Sequence, residues 1–194
     1  MKPLSSSLSL AAALMITAGG AFAAPEKYTL DASHSQIVFS YEHLGFSTTY
    51  GMFSGFEGEI MFDQEEPANS SVAVSMPARS MLTGWEARFN HFMADDFFAA
   101  GDDEMISFTS TDIEVTGDNT ALITGDLTVN DVTKEVVLDA VMNKVGDNPM
   151  SGKAWAGFDA TVTLLRSDFN LGAFAPAVSD EVEVLISIEA GKAE

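Results

Sequence analysis

The stretch HSQIVFSYEHLGFSTTYGMFSGFEGEI, residues 34–60, alternates apolar and polar side chains in the manner of β-strands. Counted in twos, Ile37, Phe39, Tyr41 and His43 fall on one face, because successive side chains of a strand point to opposite sides. A filled core seldom holds a histidine and a tyrosine hydroxyl in one row without partners for them. The row therefore leaves two alternatives: it packs against other side chains, or it faces a molecule that the protein carries.

The alternation continues through most of the chain after residue 24. Candidate strands lie at 27–31, 35–43, 51–62, 70–76, 104–115, 120–129, 134–145, 153–165 and 181–189. Turn-forming residues separate them, as in Thr116-Gly117-Asp118-Asn119. Many strands with short turns and almost no helical pattern predict one all-β antiparallel domain over residues 24–194, either a barrel or a sandwich.

Glycines cluster within and beside the second and third of these strands. Gly45, Gly51, Gly55 and Gly58 predict bends or bulges, which curl a sheet into a barrel. On one unbroken strand over 51–62, alternate side chains would divide between two faces. One face would hold Gly51, Phe53 and Gly55, and the other Phe56, Gly58, Ile60 and Phe62. Barrel-corner geometry and the lining of a cavity are equal alternatives for this cluster.

Residues 80–100 break the strand pattern. Apolar side chains recur there at three- and four-residue steps, which predicts one face of a helix. That face consists of Leu82, Trp85, Phe89, Phe92 and Met93. The helix either closes the end of a filled core or forms the lid of a cavity.

Residues 1–23 have the features of a cleaved secretory signal. Lys2 supplies a positive start, the run 8–18 is short and mostly apolar, and Ala21-Phe22-Ala23 matches a small-x-small cleavage pattern. Cleavage before Ala24 would deliver the chain to the bacterial periplasm. No later stretch is apolar enough to span a membrane, so we expect no stable membrane insertion.

Composition excludes several kinds of function. The chain has no cysteine, which removes disulfides, thiolate nucleophiles and cysteine metal sites. Its formal net charge of −20 opposes binding to nucleic acid and to anionic lipid surfaces. No nucleophile elbow or phosphate-binding glycine loop is present, so no catalytic residue is predicted. His34 and His43 fall on opposite faces of a strand, so no metal site is predicted either; His34 instead suits hydrogen bonding beside Asp31 and Ser35.

Four stretches, in order along the chain, resemble the signatures of the YceI-like family. They are YTLDASHSQIVFSYEHLGFSTTYGMFSGFEGEI, RFNHFMADDFF, GDLTVNDVTKEVVLDAV, and the pair ATVTLLRSDFNLG and VSDEVEVLISIEA. The first carries the family's Asp-x-x-His-Ser and Gly-x-Phe elements, and the second is similar to its Arg-Asp-x-His helix followed by Asp-Phe-Phe. The third is similar to its Gly-x-Leu-Thr hairpin. The resemblance extends from Tyr28 to about Ala190.

The resemblance implies a lipocalin-like antiparallel β-barrel of about eight strands, with one short helix closing an end. Family members enclose an isoprenoid (quinone-like) or other long-chain lipid as ligand, are usually periplasmic, and sometimes form homodimers; no catalytic activity or cofactor is implied. Carried over by position, the ligand-binding residues are Ile37, Phe39, Tyr41, His43, Phe53, Arg88, Phe89, His91, Phe92, Arg166 and Phe169. Trp85 joins them as part of the lid alternative. For Arg166 and Asp168 a structural ion pair is an equal alternative.

The chain departs from the family pattern at two places. Phe89 stands where the family often has an aspartate beside the helix arginine, and Asn130-Asp131 replaces a His-Gly turn. Asn and Asp tolerate the same turn conformations, so the second change is a turn variant. The first removes a polar group from the helix.

Three hypotheses follow. The chain is a periplasmic lipid-binding protein, or an enzyme acting on a prenyl lipid through His43, His91 and Arg88, or a stress-response barrel with a filled lumen. The full chain has only 9 Lys and Arg against 29 Asp and Glu, and a buried pyrophosphate needs several paired cations. If a lipid is bound, we expect it to be neutral.

Overall fold

The computed structural model describes residues 24–194, in which buried and exposed side chains alternate along the strands as the sequence predicts. In β4, for example, Ile60 and Phe62 are buried while Glu57 is exposed. The strands are β1 Glu26–Leu30, β2 Gln36–His43, β3 Ser47–Phe53, β4 Glu57–Phe62, β5 Ser71–Pro77, β6 Met105–Gly117, β7 Thr120–Val129, β8 Val132–Asp147, β9 Ala154–Leu165 and β10 Glu181–Lys192. One α-helix, α1, runs from Glu86 to Phe92, and short 3-10 turns lie at Pro67–Asn69, Ala78–Ser80 and Arg166–Phe169. The predicted signal segment, 1–23, lies outside the described residues.

The sheet closes on itself. Neighbouring strands follow the order β1-β4-β5-β6-β7-β8-β9-β10, and β10 pairs again with β1. Strand β2 continues the line of β1, because β10 pairs with β1 near Ala190 and with β2 near Ile186. In the same way β3 continues the line of β4 toward the same end of the barrel. Counting β1 with β2, and β3 with β4, gives eight antiparallel strands in a closed barrel. The predicted barrel is therefore confirmed, and the sandwich alternative is wrong.

One predicted strand, 51–62, is in fact two strands. The chain breaks at Ser54–Phe56, where Gly55 adopts a φ of 72°, in the left-handed region that favours glycine. The break shifts the alternation by one residue, so that Phe53 and Phe56 are both buried and both line the inside of the barrel. The prediction that they lie on opposite faces is wrong, because it assumed one continuous strand.

The predicted helix at 80–100 is also shorter than expected. Leu82 lies before α1 and is 54% exposed. Its backbone pairs with Met52, with N–O distances of 2.7 and 3.0 Å, along the free edge of β3. The segment 78–104 therefore covers the upper barrel, where β3 has no neighbouring strand on that side. The helical-face prediction fails at Leu82 because strand pairing, and not helical packing, determines its position.

Small residues keep the middle of the barrel wide. Ala140 and Ala160 pair directly across β8 and β9, and both face inward. Among residues 24–194, no helix has both the length and the apolar character that crossing a membrane would require.

Candidate functional site

The barrel encloses a cavity of about 960 Å³. The row of Ile37, Phe39, Tyr41 and His43 faces this cavity, with His43 exposed at the end of β2. Since small-molecule sites commonly occupy a few hundred to about 1,000 Å³, the space is large enough for a lipid chain. The lumen is not filled by side chains, which argues against the filled-barrel hypothesis.

The lining of the cavity is mainly aliphatic and aromatic. The inner faces of β8, β9 and β10 contribute Val136, Leu138, Ala140, Met142, Phe158, Ala160, Val162, Leu164, Val182, Val184, Ile186 and Ile188. Eleven of the twelve predicted site residues also line it. They are Ile37, Phe39, Tyr41, His43, Phe53, Trp85, Arg88, His91, Phe92, Arg166 and Phe169.

Phe89 is the exception, and the expectation that it covers the lumen needs correction. It is absent from the cavity lining, and its ring packs beneath the Arg79 guanidinium, 5.5 Å from the ring centroid. Arg79 is itself held by the carbonyl of Ala100, at 3.0 Å, and lies 3.5 Å from Asp102. The two phenylalanines of α1 thus have different neighbours, because Phe92 turns to the barrel and Phe89 to the segment around Arg79.

A cluster of aromatic rings joins the helical segment to the barrel. Phe92 meets Tyr41 edge-on at a centroid distance of 6.2 Å, and Phe97 at 5.6 Å. Phe98 meets Phe53 at 6.4 Å. Phe92, Phe97 and Phe98 all line the cavity and form its aromatic lid. Sequence reasoning omitted Phe97 and Phe98 from the site, although the Asp-Phe-Phe element contains both.

The histidines and arginines of the lining lie at the end of the lumen that the lid covers, here called the mouth, whereas Asp118 and Asn119 line the opposite end. Besides His43, the half-buried Arg88 lines it and donates from Nη1 to the Thr83 carbonyl at 3.1 Å. His91 lies with Nε2 3.5 Å from Asp96 Oδ2, and its ring meets Phe97 at 4.9 Å. The mouth can therefore donate hydrogen bonds to a polar group, while the aliphatic inner faces of β8, β9 and β10 below it can bury an apolar chain.

Arg166 lines the cavity but has a structural role. Its guanidinium donates to the backbone carbonyls of Leu171, Ala173, Val178 and Ser179, which fixes the loop between β9 and β10. Burial lowers the pKa of Arg166, and nearby negative groups oppose that shift. No ion pair joins it to Asp168 within residues 24–194, so the carbonyls satisfy it and that alternative is not realised.

The neighbouring carboxylate, Asp180, anchors the other side of this loop. It accepts from the Ser167 backbone N–H at 2.8 Å and from the Ser167 hydroxyl at 2.6 Å. These hydrogen bonds lower the pKa of Asp180. The two ends of the loop, next to β9 and β10, are therefore tied to each other.

The remaining predicted polar cluster lies away from the lumen, in the turn between β1 and β2. His34 Nδ1 lies 2.7 Å from Asp31 Oδ2, and the Ser35 hydroxyl donates to the Asp31 carbonyl at 2.7 Å. The hydrogen bond to Asp31 raises the pKa of His34, and the same contact lowers the pKa of Asp31. Glu189 is close by, but its Oε2 accepts from Trp155 Nε1 at 2.8 Å. The predicted hydrogen-bonding role of His34 is confirmed.

A closed eight-stranded antiparallel barrel around a large apolar lumen places the protein in the lipocalin-like class of architecture. Residues 28–190 match the YceI-like domain. The chain is 39% identical over 178 residues to protein YceI of Escherichia coli O17:K52:H18, covering 92% of each chain. It belongs to the YceI-like family.

Solved structures agree with this assignment. The Campylobacter jejuni YCEI protein superposes with a TM-score of 0.71 at 30% identity, over 79% of this chain and 90% of that one. A polyisoprenoid binding domain from Saccharophagus degradans, implicated in plant cell wall breakdown, gives a TM-score of 0.66 at 14% identity. That likeness covers 86% of this chain and 98% of the other, and it concerns the fold.

Proposed function

We propose that this protein is a periplasmic carrier that encloses one isoprenoid or other long-chain lipid in its barrel. The cavity of about 960 Å³, lined by aliphatic and aromatic side chains, is the observation that carries the proposal. A solved structural neighbour is described as a polyisoprenoid binding domain, which supports the same class of ligand.

The lipid lies with its polar head at the mouth and its tail below. His43, Arg88 and His91 offer hydrogen-bonding groups at the mouth, whereas the inner faces of β8, β9 and β10 offer apolar contacts. Apolar surface removed from water stabilises a bound chain by about 25 cal/mol per Å². An extended tail along the barrel axis therefore supplies most of the affinity.

The headgroup is neutral, as in an isoprenoid quinone. Two arginines line the cavity, and the guanidinium of Arg166 already donates hydrogen bonds to four backbone carbonyls. Arg88 alone remains for the ligand, and one guanidinium cannot neutralise a buried pyrophosphate. In competition binding at moderate salt we expect a quinone to displace a prenyl pyrophosphate.

Location in the periplasm rests on the cleavage pattern Ala21-Phe22-Ala23 and remains a proposal. We expect the exported protein to begin at Ala24 and to be released by osmotic shock. Intact-mass analysis that finds Met1 retained in the fractionated host would contradict it. The homodimer implied by the resemblance likewise stays a prediction, which sedimentation analysis can check.

The direct test of ligand binding is organic extraction of the purified protein, followed by mass spectrometry. A blocking variant, Ala160→Trp, would place an indole beside Ala140 in the middle of the lumen, and we expect it to lose the lipid. The matched control is Thr161→Trp on the same strand, since Thr161 is exposed and does not line the cavity, although it lies between the lining residues Ala160 and Val162. It should retain the full lipid load.

Two results would refute the proposal. One is the absence of extractable lipid from repeated wild-type preparations, together with no uptake of added quinone. The other is a folded Ala160→Trp variant that carries as much lipid as Thr161→Trp.

A further inference from the structure

Four large apolar side chains are exposed together at the mouth. Leu44 is 50% exposed, Phe46 88%, Trp85 64% and Phe174 61%. Leu44, Trp85 and Phe174 also line the cavity, so the exposed surface is continuous with the lumen. We call these four residues the apolar rim. Exposed apolar clusters of this kind usually mark an interaction site.

The rim is held in place by contacts between three separate segments. In the β2–β3 turn, the Leu44 N–H donates to the Ala177 carbonyl at 3.0 Å, which ties the hairpin to the β9–β10 loop. In that loop, the Phe174 ring lies 6.1 Å from Phe97 and 6.3 Å from His91. These contacts join it in turn to the helical segment. These contacts between segments therefore hold the residues of the apolar rim in a fixed arrangement.

Two rim residues have an unusual backbone conformation. Leu44 has a φ of 56° and Phe174 a φ of 65°. Bulky residues rarely adopt this left-handed conformation, because the β-carbon crowds the following carbonyl oxygen. The hydrogen bonds that close the two loops, from Leu44 N–H to Ala177 and from Val178 N–H to Phe174, hold this conformation in place.

We propose that the apolar rim docks the mouth of the barrel onto the surface of a zwitterionic lipid bilayer. The proposal rests on the proposed function, because a lipid that fills an apolar lumen is stored in membranes and must enter through the mouth. Tryptophan favours the membrane interface, and phenylalanine and leucine side chains bury beside it at the boundary of headgroups and acyl chains without crossing the bilayer. Docking would let the cargo pass between bilayer and lumen without contact with water.

Charge selects the kind of bilayer. The net charge of the full chain is −20, and Glu42 and Glu86 flank the rim, so an anionic surface repels the protein. Arg88 lines the mouth and makes no ion pair among residues 24–194, so it is placed to meet a lipid phosphate. We therefore expect binding to phosphatidylcholine vesicles that weakens as anionic lipid is added and recovers with salt.

The test is flotation of the delipidated mature protein with phosphatidylcholine vesicles. The double variant Phe46→Ser/Phe174→Ser should lower the vesicle-bound fraction by about tenfold, since interfacial binding scales with the apolar area buried. Met150→Ser is the matched control, because Met150 is 93% exposed but lies in the β8–β9 turn, at the other end of the barrel. It should float as the wild type does.

Fluorescence gives a second readout at the rim itself. The chain has two tryptophans, so Trp155→Phe leaves Trp85 alone. We expect a blue shift of Trp85 emission on vesicles and quenching by brominated lipid. An unchanged spectrum would place Trp85 in water and contradict docking.

The outcomes separate this proposal from the proposed function. A protein that extracts with lipid but neither floats nor shows a Trp85 shift would overturn docking and leave lipid binding intact. A protein that floats but never contains lipid would overturn the carrier function alone. If the rim variant floats like Met150→Ser, or if the rim instead drives dimerisation that Phe46→Ser abolishes, docking is also overturned.

Discussion

The ring of Phe39 occupies the space where a side chain at Gly51 would stand. The two residues pair directly across β2 and β3, and a β-carbon added to Gly51 would lie 2.2 Å from Cζ of Phe39. Phe39 also packs against Phe53 at a centroid distance of 5.4 Å. The absent side chain at Gly51 thus lets Phe39 lie along the strand pair and leaves the lumen open.

Adding a methyl group at this position should therefore disturb the packing. We expect Gly51→Ala to lower the free energy of unfolding by about 1–3 kcal/mol, as overpacking usually does. Gly101→Ala is the control, because a β-carbon there would meet no atom within 4 Å. Urea unfolding measures both, and equal stability of the two variants would show that Phe39 moves aside freely.

The two phenylalanines of α1 offer a matched pair for the lid. Phe92→Ala opens the aromatic lid, because Phe92 contacts Tyr41 and lines the cavity. Phe89→Ala removes a ring that packs against Arg79 instead. We expect each to cost about 1–3 kcal/mol of stability, since both rings are half-buried. Only Phe92→Ala should lose lipid during purification.

Lipid content per protein, measured beside thermal melts of the delipidated forms, checks this difference. A Phe92→Ala protein that melts much lower but retains its full lipid load would show that the ring is core and not lid. Ligand loss from Phe89→Ala alone would reverse the assignment of the two rings.

The two arginines of the cavity should respond differently to removal of their charge. Arg166→Met leaves four loop carbonyls without their donor, so we expect a loss of about 2–4 kcal/mol in the free energy of unfolding. Arg88→Met removes one hydrogen bond, to Thr83, and should cost about 1 kcal/mol or less. Denaturant unfolding ranks the two, and an Arg88 variant as unstable as the Arg166 variant would contradict the structural role given to Arg166.

The turn between β1 and β2 should make stability depend on pH. Asp31 raises the pKa of His34, so this contribution is complete below the unfolded histidine pKa and is lost as pH rises through the folded one. The pKa of Asp31 is lowered, so its contribution is lost as pH falls through its folded value. The pair therefore stabilises the fold most between about pH 4 and 6.5.

An NMR titration of the His34 ring measures this directly. We expect a pKa above the ordinary histidine value in the wild type and a return toward that value in Asp31→Asn. A His34 pKa that is unchanged by Asp31→Asn would show that the two side chains do not interact in solution.

The sequence by itself determined the inner row of β2 and the general architecture. Alternation is a local property of a strand, so Ile37 and Tyr41 had to share a face wherever the strand was placed. Turn residues set the lengths of the later strands in the same local way. The Asp31–His34 contact could also be expected, since only three positions separate the two residues.

Tertiary structure alone decided what depends on neighbours distant in sequence. The break at Gly55 brought Phe53 and Phe56 to one face. The chain bends there because β3 pairs only with β2, whereas β4 pairs with β1 and β5. The difference between Arg88 and Arg166 arose from the loop that closes around Arg166. The open lumen itself required that all eight strands meet in a ring. Closure of a barrel is a property of the whole sheet, so no single strand's pattern of side chains contains it.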